Sequence, residues 1–274
     1  MRAATFSSRF LKVPELPEVE TVVRSVAASL AGRRIIAARF TSRFVTPGNR
    51  KGLAARLAGR RIESVRRRGK FIVIALDQGT LTIHLGMTGK LLLEGAAGEH
   101  THGVFTLDEG LLLYHDPRQF GRIEWSAGVP PRVARLGPEP LEITLEDFRA
   151  RLHRKAAVKP LLLNQAFLAG LGNIYVDESL FAAGIHPLTI ASRISRGRAE
   201  KLHQAIRGIL SHAIELGGSS ISDYVNARGE RGWFQMEHRV YGREGEPCVN
   251  CGAAIRKILV GQRGTHYCVK CQRR

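Results

Sequence analysis

The sequence predicts an α+β protein. An N-terminal β-sandwich with one early helix is followed by a helical C-terminal region and a final zinc-bound β-hairpin. Three observations carry this reading. Short β-rich segments punctuated by turn signals fill the first half. Beyond a Pro-rich stretch, apolar residues recur with helical spacing. All the cysteines, Cys248, Cys251, Cys268 and Cys271, lie near the end of the 274-residue chain.

The elements follow in order. From Val19 to Leu30 the apolar spacing is helical, and Gly32 supplies a stop. Strands are expected over Ile35–Phe44, Arg61–Val65, Phe71–Leu76, Thr80–Leu85, Gly103–Leu107, Leu111–His115 and Arg122–Trp125. Asp77-Gln78-Gly79 and Asp108-Glu109-Gly110 read as turns between them. Gly128-Val-Pro-Pro and Gly137-Pro-Glu-Pro form a stiff connection, a candidate hinge over 129–143. Helices are then expected over Leu145–Leu152, Lys159–Leu163, Asn173–Ala183 and Arg198–Leu216. From Val240 the tail fits a hairpin, with strands Ile255–Val260 and Thr265–Cys268 around the turn Gly261-Gln-Arg-Gly264. There are no internal repeats.

Charge narrows the partners. Lys and Arg number 42 against 24 acids, a net charge of +18. Such an excess suits a polyanion, commonly nucleic acid, although Arg33-Arg34 or Arg66-Arg67-Arg68 alone could be solvated faces. No apolar run approaches the length of a bilayer span, so a soluble protein with no membrane partner is expected. Residues 1–13 carry Arg2, Arg9 and Lys12 and no acid, and they stand apart as a leader.

The cysteines read C-x2-C-x16-C-x2-C. Paired knuckles of this kind suit tetrahedral zinc, and four thiolates leave no open position. One structural Zn2+ ion is therefore expected, held by Cys248, Cys251, Cys268 and Cys271.

The remaining motifs are ordinary singly. Pro14-Glu15-Leu16-Pro17-Glu18 is a good helix start. Met87 and Phe120 alone read as core, and Gly170-Leu-Gly-Asn173 as a turn between helices. Taken with His84-Leu-Gly-Met-Thr-Gly89, Asp116-Pro-Arg-Gln-Phe-Gly121 and the cysteine hairpin, in this order, they closely resemble the bacterial formamidopyrimidine-DNA glycosylase family. The resemblance runs from Pro14 to Arg274. The sister branch, endonuclease VIII, usually starts P-E-G-P-E; here Leu16 stands at the Gly position, which favours the purine-repair branch.

The resemblance implies domains at 14–128 (catalytic β-sandwich), 144–239 (helix–two-turn–helix with a capping loop) and 240–274 (zinc finger). It implies a bifunctional glycosylase and abasic-site lyase, a monomer acting on damaged double-stranded DNA in the bacterial cytoplasm at the nucleoid. Pro14 would be the nucleophile and Glu15 the proton donor to the opening sugar. Glu18 matches a further active-site acid. Lys70 and Arg263 would hold phosphates around the damaged nucleotide, with zinc aiming Arg263. Met87, Arg118 and Phe120 would fill the duplex after the nucleotide flips out, Arg118 pairing with the orphaned cytosine. His84, Lys159, Asn173 and Tyr241 would contact the DNA backbone, Asn173 also capping its helix. The glycines of 170–172 would permit close approach to DNA. Gln119 has no assigned role.

One departure matters. Inside a chain the nitrogen of Pro14 is a tertiary amide with no usable lone pair. The expectation is that the working chain starts at Pro14, with Val13 as a GTG initiator later trimmed, or residues 1–13 as a removed leader. A non-catalytic zinc-ribbon DNA-binding protein, with Pro14 permanently blocked, is the competing class.

Overall fold

The computed structural model describes residues 13–93, 95–220 and 224–274. Most of the expected leader, and residues 221–223 of the expected capping loop, lie outside them.

Helix α1 (Leu16–Leu30) opens the described chain. Val19, Val22, Val23, Val26 and Leu30 are buried at 6% exposure or less, the i, i+3, i+4, i+7 stripe of an amphipathic helix. Each contributes about 1.5–3 kcal/mol on burial, much more than intrinsic helix propensity supplies. This stripe packs on the sandwich, whereas Leu16 joins the core of the helical domain. Helix α1 therefore belongs to both halves.

The sandwich comprises β1 (Ile35–Phe40), α2 (Arg50–Leu57), β2 (Ile62–Arg68), β3 (Phe71–Leu76), β4 (Thr80–His84), β5 (Lys90–Leu93), β6 (Thr101–Leu107), β7 (Leu111–His115) and β8 (Arg122–Ser126). One sheet has the order β1-β6-β7-β5 and the other β2-β3-β4-β8, all neighbours antiparallel. The β-sandwich is as expected, with two elements added. Helix α2 is capped by Asn49, whose Oδ1 accepts from the Gly52 N–H at 2.8 Å, but it buries only Leu53 and Leu57 and has no amphipathic stripe to read. Strand β5 is four residues long. The expected strand Ile35–Phe44 stops at Phe40, because Ser42 turns the chain by accepting the N–H groups of Phe44 and Val45.

The connection over 129–143 contains α3 (Pro131–Ala134) and is tied to both sides. Gly137 N–H donates to Gln165 O, and Ala169 N–H to Pro138 O. Buried Glu139 accepts from Arg67 Nη1 (2.5 Å), Arg68 Nη1 (2.8 Å) and the Gly69 N–H (2.7 Å). The turn between β2 and β3, which carries Lys70, is thereby held against the second domain.

That domain packs α4 (Leu145–Arg151), α5 (Val158–Leu163), α6 (Asn173–Ala182) and α7 (Arg196–Glu215) around a second core. The final hairpin pairs β9 (Ile255–Val260) with β10 (Arg263–Cys268). The turn is tighter than the expected four residues: Val260 pairs with Arg263, leaving Gly261 (φ 54°) and Gln262 (φ 60°) between them. Two positive φ angles define the type I′ hairpin turn that matches strand twist. Arg263 is thus the first residue of β10, exposed beside the turn rather than within it. Among the described residues no helix is long and apolar enough to cross a membrane.

Candidate active site and nucleic-acid interface

The site forms where α1, the β2–β3 turn, the start of α6 and the final hairpin meet. Glu15 is the N-cap of α1, and its N–H donates to Glu18 Oε2 at 2.8 Å. Its own carboxylate turns away to another helix: Oε1 accepts the Ile174 N–H at 3.1 Å, at the N-terminus of α6. Two glycines make room. A Cβ on Gly172 would lie 2.2 Å from Glu15 Cδ, and one on Gly170 would lie 2.7 Å from Leu16 Cδ1. The glycines expected to admit DNA instead admit the start of α1. The Leu16 N–H donates to Gly170 O at 3.0 Å in the same junction.

Burial sets the electrostatics here. Glu15 is 5% exposed, and desolvation raises its pKa to about 7, against the opposing pull of the Lys70 charge. Among the described residues its buried Oε2 has no hydrogen-bond partner, which also favours the neutral acid. Glu18 is raised by desolvation too, although Tyr175 Oη (2.5 Å) and the Ser219 N–H (2.7 Å) donate to Oε1. Lys70 is lowered by burial, while Glu15 and Glu18 pull it up and Arg263 pushes it further down. Those couplings place Glu15, Glu18, Lys70 and Arg263 in one charge cluster. Pro14 is buried, and with Glu18, Met87, Ser219 and Tyr224 it lines a crevice of about 20 Å3. Its nitrogen is bonded to Val13.

Lys159 corrects the expectation of a DNA contact. Its side chain is fully buried, with Nζ 2.6 Å from Asp177 Oδ1 and 3.3 Å from Gly264 O. Asp177 Oδ2 accepts the His266 N–H at 2.9 Å. The pair fastens the hairpin to α6 and cannot reach a phosphate from there. Asn173 is likewise not the cap of α6. Gly172 holds that position, and Asn173 is the first helical residue, its Nδ2 donating to Gly264 O at 2.8 Å. Tyr241, 5% exposed, stacks edge-on against His266 with ring centroids 5.1 Å apart and receives a hydrogen bond from the Asn173 side chain. Glu178 was not singled out from the sequence; it is buried and accepts the N–H groups of Arg239, Val240 and Tyr241, fixing where Tyr241 stands.

On the sandwich face Met87, Arg118 and Phe120 converge. Arg118 Nη1 lies 3.9 Å from Met87 Sδ, and Arg118 Cζ sits 4.6 Å over the Phe120 ring. Phe120 is 50% exposed, unusual for a large aromatic side chain. Beneath them Asp116, fully buried, accepts the Gly121 N–H (2.8 Å), Thr88 Oγ1 (2.5 Å) and Tyr114 Oη (3.3 Å), which rigidifies the turn. His84, at the end of β4, accepts the Gly86 N–H on Nδ1 at 3.1 Å. Burial first, then the Lys70, Arg132 and Arg122 charges, lowers its pKa to about 4. Neutral His84 with Nδ1 occupied keeps its proton on Nε2, a donor suited to a phosphate oxygen.

The four cysteine Sγ atoms lie within 4.8 Å of one another. Sγ separations of 3.8 Å (Cys248–Cys271) and 3.4 Å (Cys251–Cys268) are near the roughly 3.8 Å edge of a tetrahedron with Zn–S bonds of about 2.3 Å, and too long for disulfides. The residues fit zinc.

A buried acid pair beside a proline, a cationic rim, an exposed apolar wedge and a thiolate-clamped hairpin define a nucleic-acid enzyme of two domains and a zinc finger. Family models match in the same order: the formamidopyrimidine-DNA glycosylase N-terminal domain over residues 13–123, its H2TH domain over 136–225, and the zinc finger found in FPG and IleRS over 245–274. The formamidopyrimidine-DNA glycosylase of Solibacter usitatus (strain Ellin6076) is 59% identical over 265 residues, covering 96% of this chain and all of that protein. The structure is similar to a Lactococcus lactis FPG variant in complex with a Fapy-dG containing DNA (TM-score 0.87, 39% identity, 95% of this chain and 100% of that one). It is also similar to the MutM (FPG) protein from Thermus thermophilus (TM-score 0.86, 40% identity, 94% and 98%). The chain belongs to the formamidopyrimidine-DNA glycosylase family, and its four cysteines hold one structural zinc ion.

Proposed function

We propose that this protein excises oxidised purines, 8-oxoguanine and formamidopyrimidines, from double-stranded DNA and then cleaves the abasic strand. The carrying observation is the junction that sets a buried, protonatable Glu15 next to Pro14 and within the field of Lys70, which in turn feels the Arg263 charge. In the working enzyme Pro14 is the first residue and its nitrogen a secondary amine, with a pKa of about 8. The amine adds to the sugar C1′ and the base leaves with the glycosidic electron pair, taking up the proton that the nitrogen sheds; the nitrogen lone pair so freed expels the ring oxygen and forms a cationic iminium. Glu15, neutral near pH 7, gives its proton to the ring oxygen as the sugar opens. The iminium then acidifies the neighbouring C2′ proton, and the two phosphates leave by successive β- and δ-elimination. Lys70, Arg263 and His84 hold phosphates, while Met87, Arg118 and Phe120 fill the gap left by the flipped nucleotide. Asn173 and Tyr241 support the backbone contact at the hairpin. The protein works as a monomer on the nucleoid in the cytoplasm.

Removal of residues 1–13 is part of the proposal. It is supported by the family model beginning at residue 13, and by a relative whose full length aligns to 96% of this chain. Borohydride trapping on abasic DNA coupled to intact-mass analysis tests it. The expected covalent adduct contains a protein starting at Pro14. Trapping by a chain that still begins at Met1 would overturn the Pro14 mechanism.

A further inference from the structure

The turn that displays Arg118 and Phe120 contains a conformational anomaly. Gln119 has φ of +56°, a left-handed conformation that few residues other than glycine adopt. Such a backbone persists only where its surroundings over-determine it. Two contacts do so here. The Gln119 N–H donates to Asp116 O at 3.1 Å. The side-chain Oε1 accepts from Ser42 Oγ at 2.5 Å, across 77 residues of sequence.

Ser42 is itself fixed. It is 6% exposed, and its Oγ accepts the N–H groups of Phe44 and Val45, each at 3.1 Å. Both acceptor sites of the hydroxyl are filled, so its single proton is directed at Gln119. The same segment makes a second tie to the wedge region, where Val45 O accepts the Ile123 N–H at 2.8 Å. The loop after β1 is a strap across the base of the wedge. The left-handed residue reverses the chain between its neighbours, and Arg118 and Phe120 come to stack at 4.6 Å.

We infer that Ser42 and Gln119 form a latch that presets Arg118 and Phe120, making Gln119 a positioning residue for recognition of the base opposite the lesion. This rests on the reading of Met87, Arg118 and Phe120 as the residues inserted into the duplex. Without the latch, Gln119 relaxes from its left-handed conformation and Arg118 loses its fixed approach to the orphaned base. Base discrimination then falls more than the fold's stability does.

The test compares kcat/KM for excision of 8-oxoguanine opposite cytosine and opposite adenine. A correctly placed Arg–base contact discriminates by about tenfold or more, so Gln119→Ala and Ser42→Ala should each lower the cytosine-to-adenine ratio about tenfold. The double variant should add little, because both changes remove one interaction. Ser42→Thr keeps the hydroxyl and should restore the ratio. Gln119→Gly accepts the positive φ but has no side chain to hold, so it should behave like Gln119→Ala. Thermal midpoints separate these effects from general unfolding, and Ser42→Ala carries the test if a Gln119 variant is unstable. An unchanged ratio in Gln119→Ala and Ser42→Ala, with a lowered ratio in Arg118→Ala, overturns the latch and leaves the wedge standing. An unchanged ratio in Arg118→Ala as well overturns the wedge reading and the latch with it.

Discussion

Gly172→Ala isolates the junction that seats Glu15. The new Cβ would lie 2.2 Å from Glu15 Cδ and 2.4 Å from Oε1. Ordinary contact requires at least about 3.4 Å, so the carboxyl must retreat by roughly 1 Å. Gly172 has φ of −135°, which alanine accepts, so the backbone is not strained. The retreat breaks the 3.1 Å bond from Ile174 N–H and removes the acid from its place beside Pro14. A misplacement of about 1 Å costs on the order of a hundredfold in rate, or about 2.7 kcal/mol of transition-state stabilisation. The loss of one hydrogen bond to a charged or polar group costs stability only about 1–3 kcal/mol. Single-turnover excision from an 8-oxoguanine duplex, alongside a urea melt of the same protein, reads both quantities. A rate within threefold of wild type would refute the argument that Gly172 exists to admit Glu15.

Other outcomes follow from the same geometry. Lys159→Met leaves the buried Asp177 carboxylate without its cation, and should destabilise the protein by about 3–5 kcal/mol in denaturant melts; a loss below about 1 kcal/mol would show the pair to be dispensable. Excision should follow a bell-shaped pH profile between about 7 and about 8, because Glu15 keeps its proton only below about 7 while the Pro14 amine is free only above about 8. Since the folded pKa of Glu15 is raised, its stabilising contribution is present at low pH and is lost as the pH rises through about 7; an excision rate flat from about pH 6 to 9 would contradict its role. Cys248→Ala should lose zinc, measured by metal analysis, and with it DNA affinity in a gel shift, because the hairpin that carries Arg263 is no longer closed.

Local patterns were legible in the sequence wherever one segment suffices to express them. The stripe Val19 to Leu30 and the alternating burial of β3 gave their elements directly, because burial of one face imposes a period. Helix α2 left no such trace, since it is mostly exposed, and β5 is too short to show alternation. Motifs singled out Pro14, Glu15 and Lys70 as candidates but gave no sign of what surrounds them. Lys159 reads from the sequence as a second basic contact near the Gly170–Asn173 turn; the fold uses its charge on Asp177 instead. Gln119 carried no sequence signal at all, because its meaning lies in a φ angle and in a serine 77 positions away.

The sequence by itself determined the zinc site, the two-part architecture and the conflict at Pro14. Those follow from spacing, periodicity and covalent chemistry, which are properties of the chain. Only the tertiary structure decided that Glu15 is held by a helix 159 positions distant, that Gly172 leaves room for it and Gly170 for Leu16, and that its pKa is raised to about 7. Desolvation and close approach depend on what surrounds a group, and segments far apart in the sequence supply those surroundings only once the chain has folded.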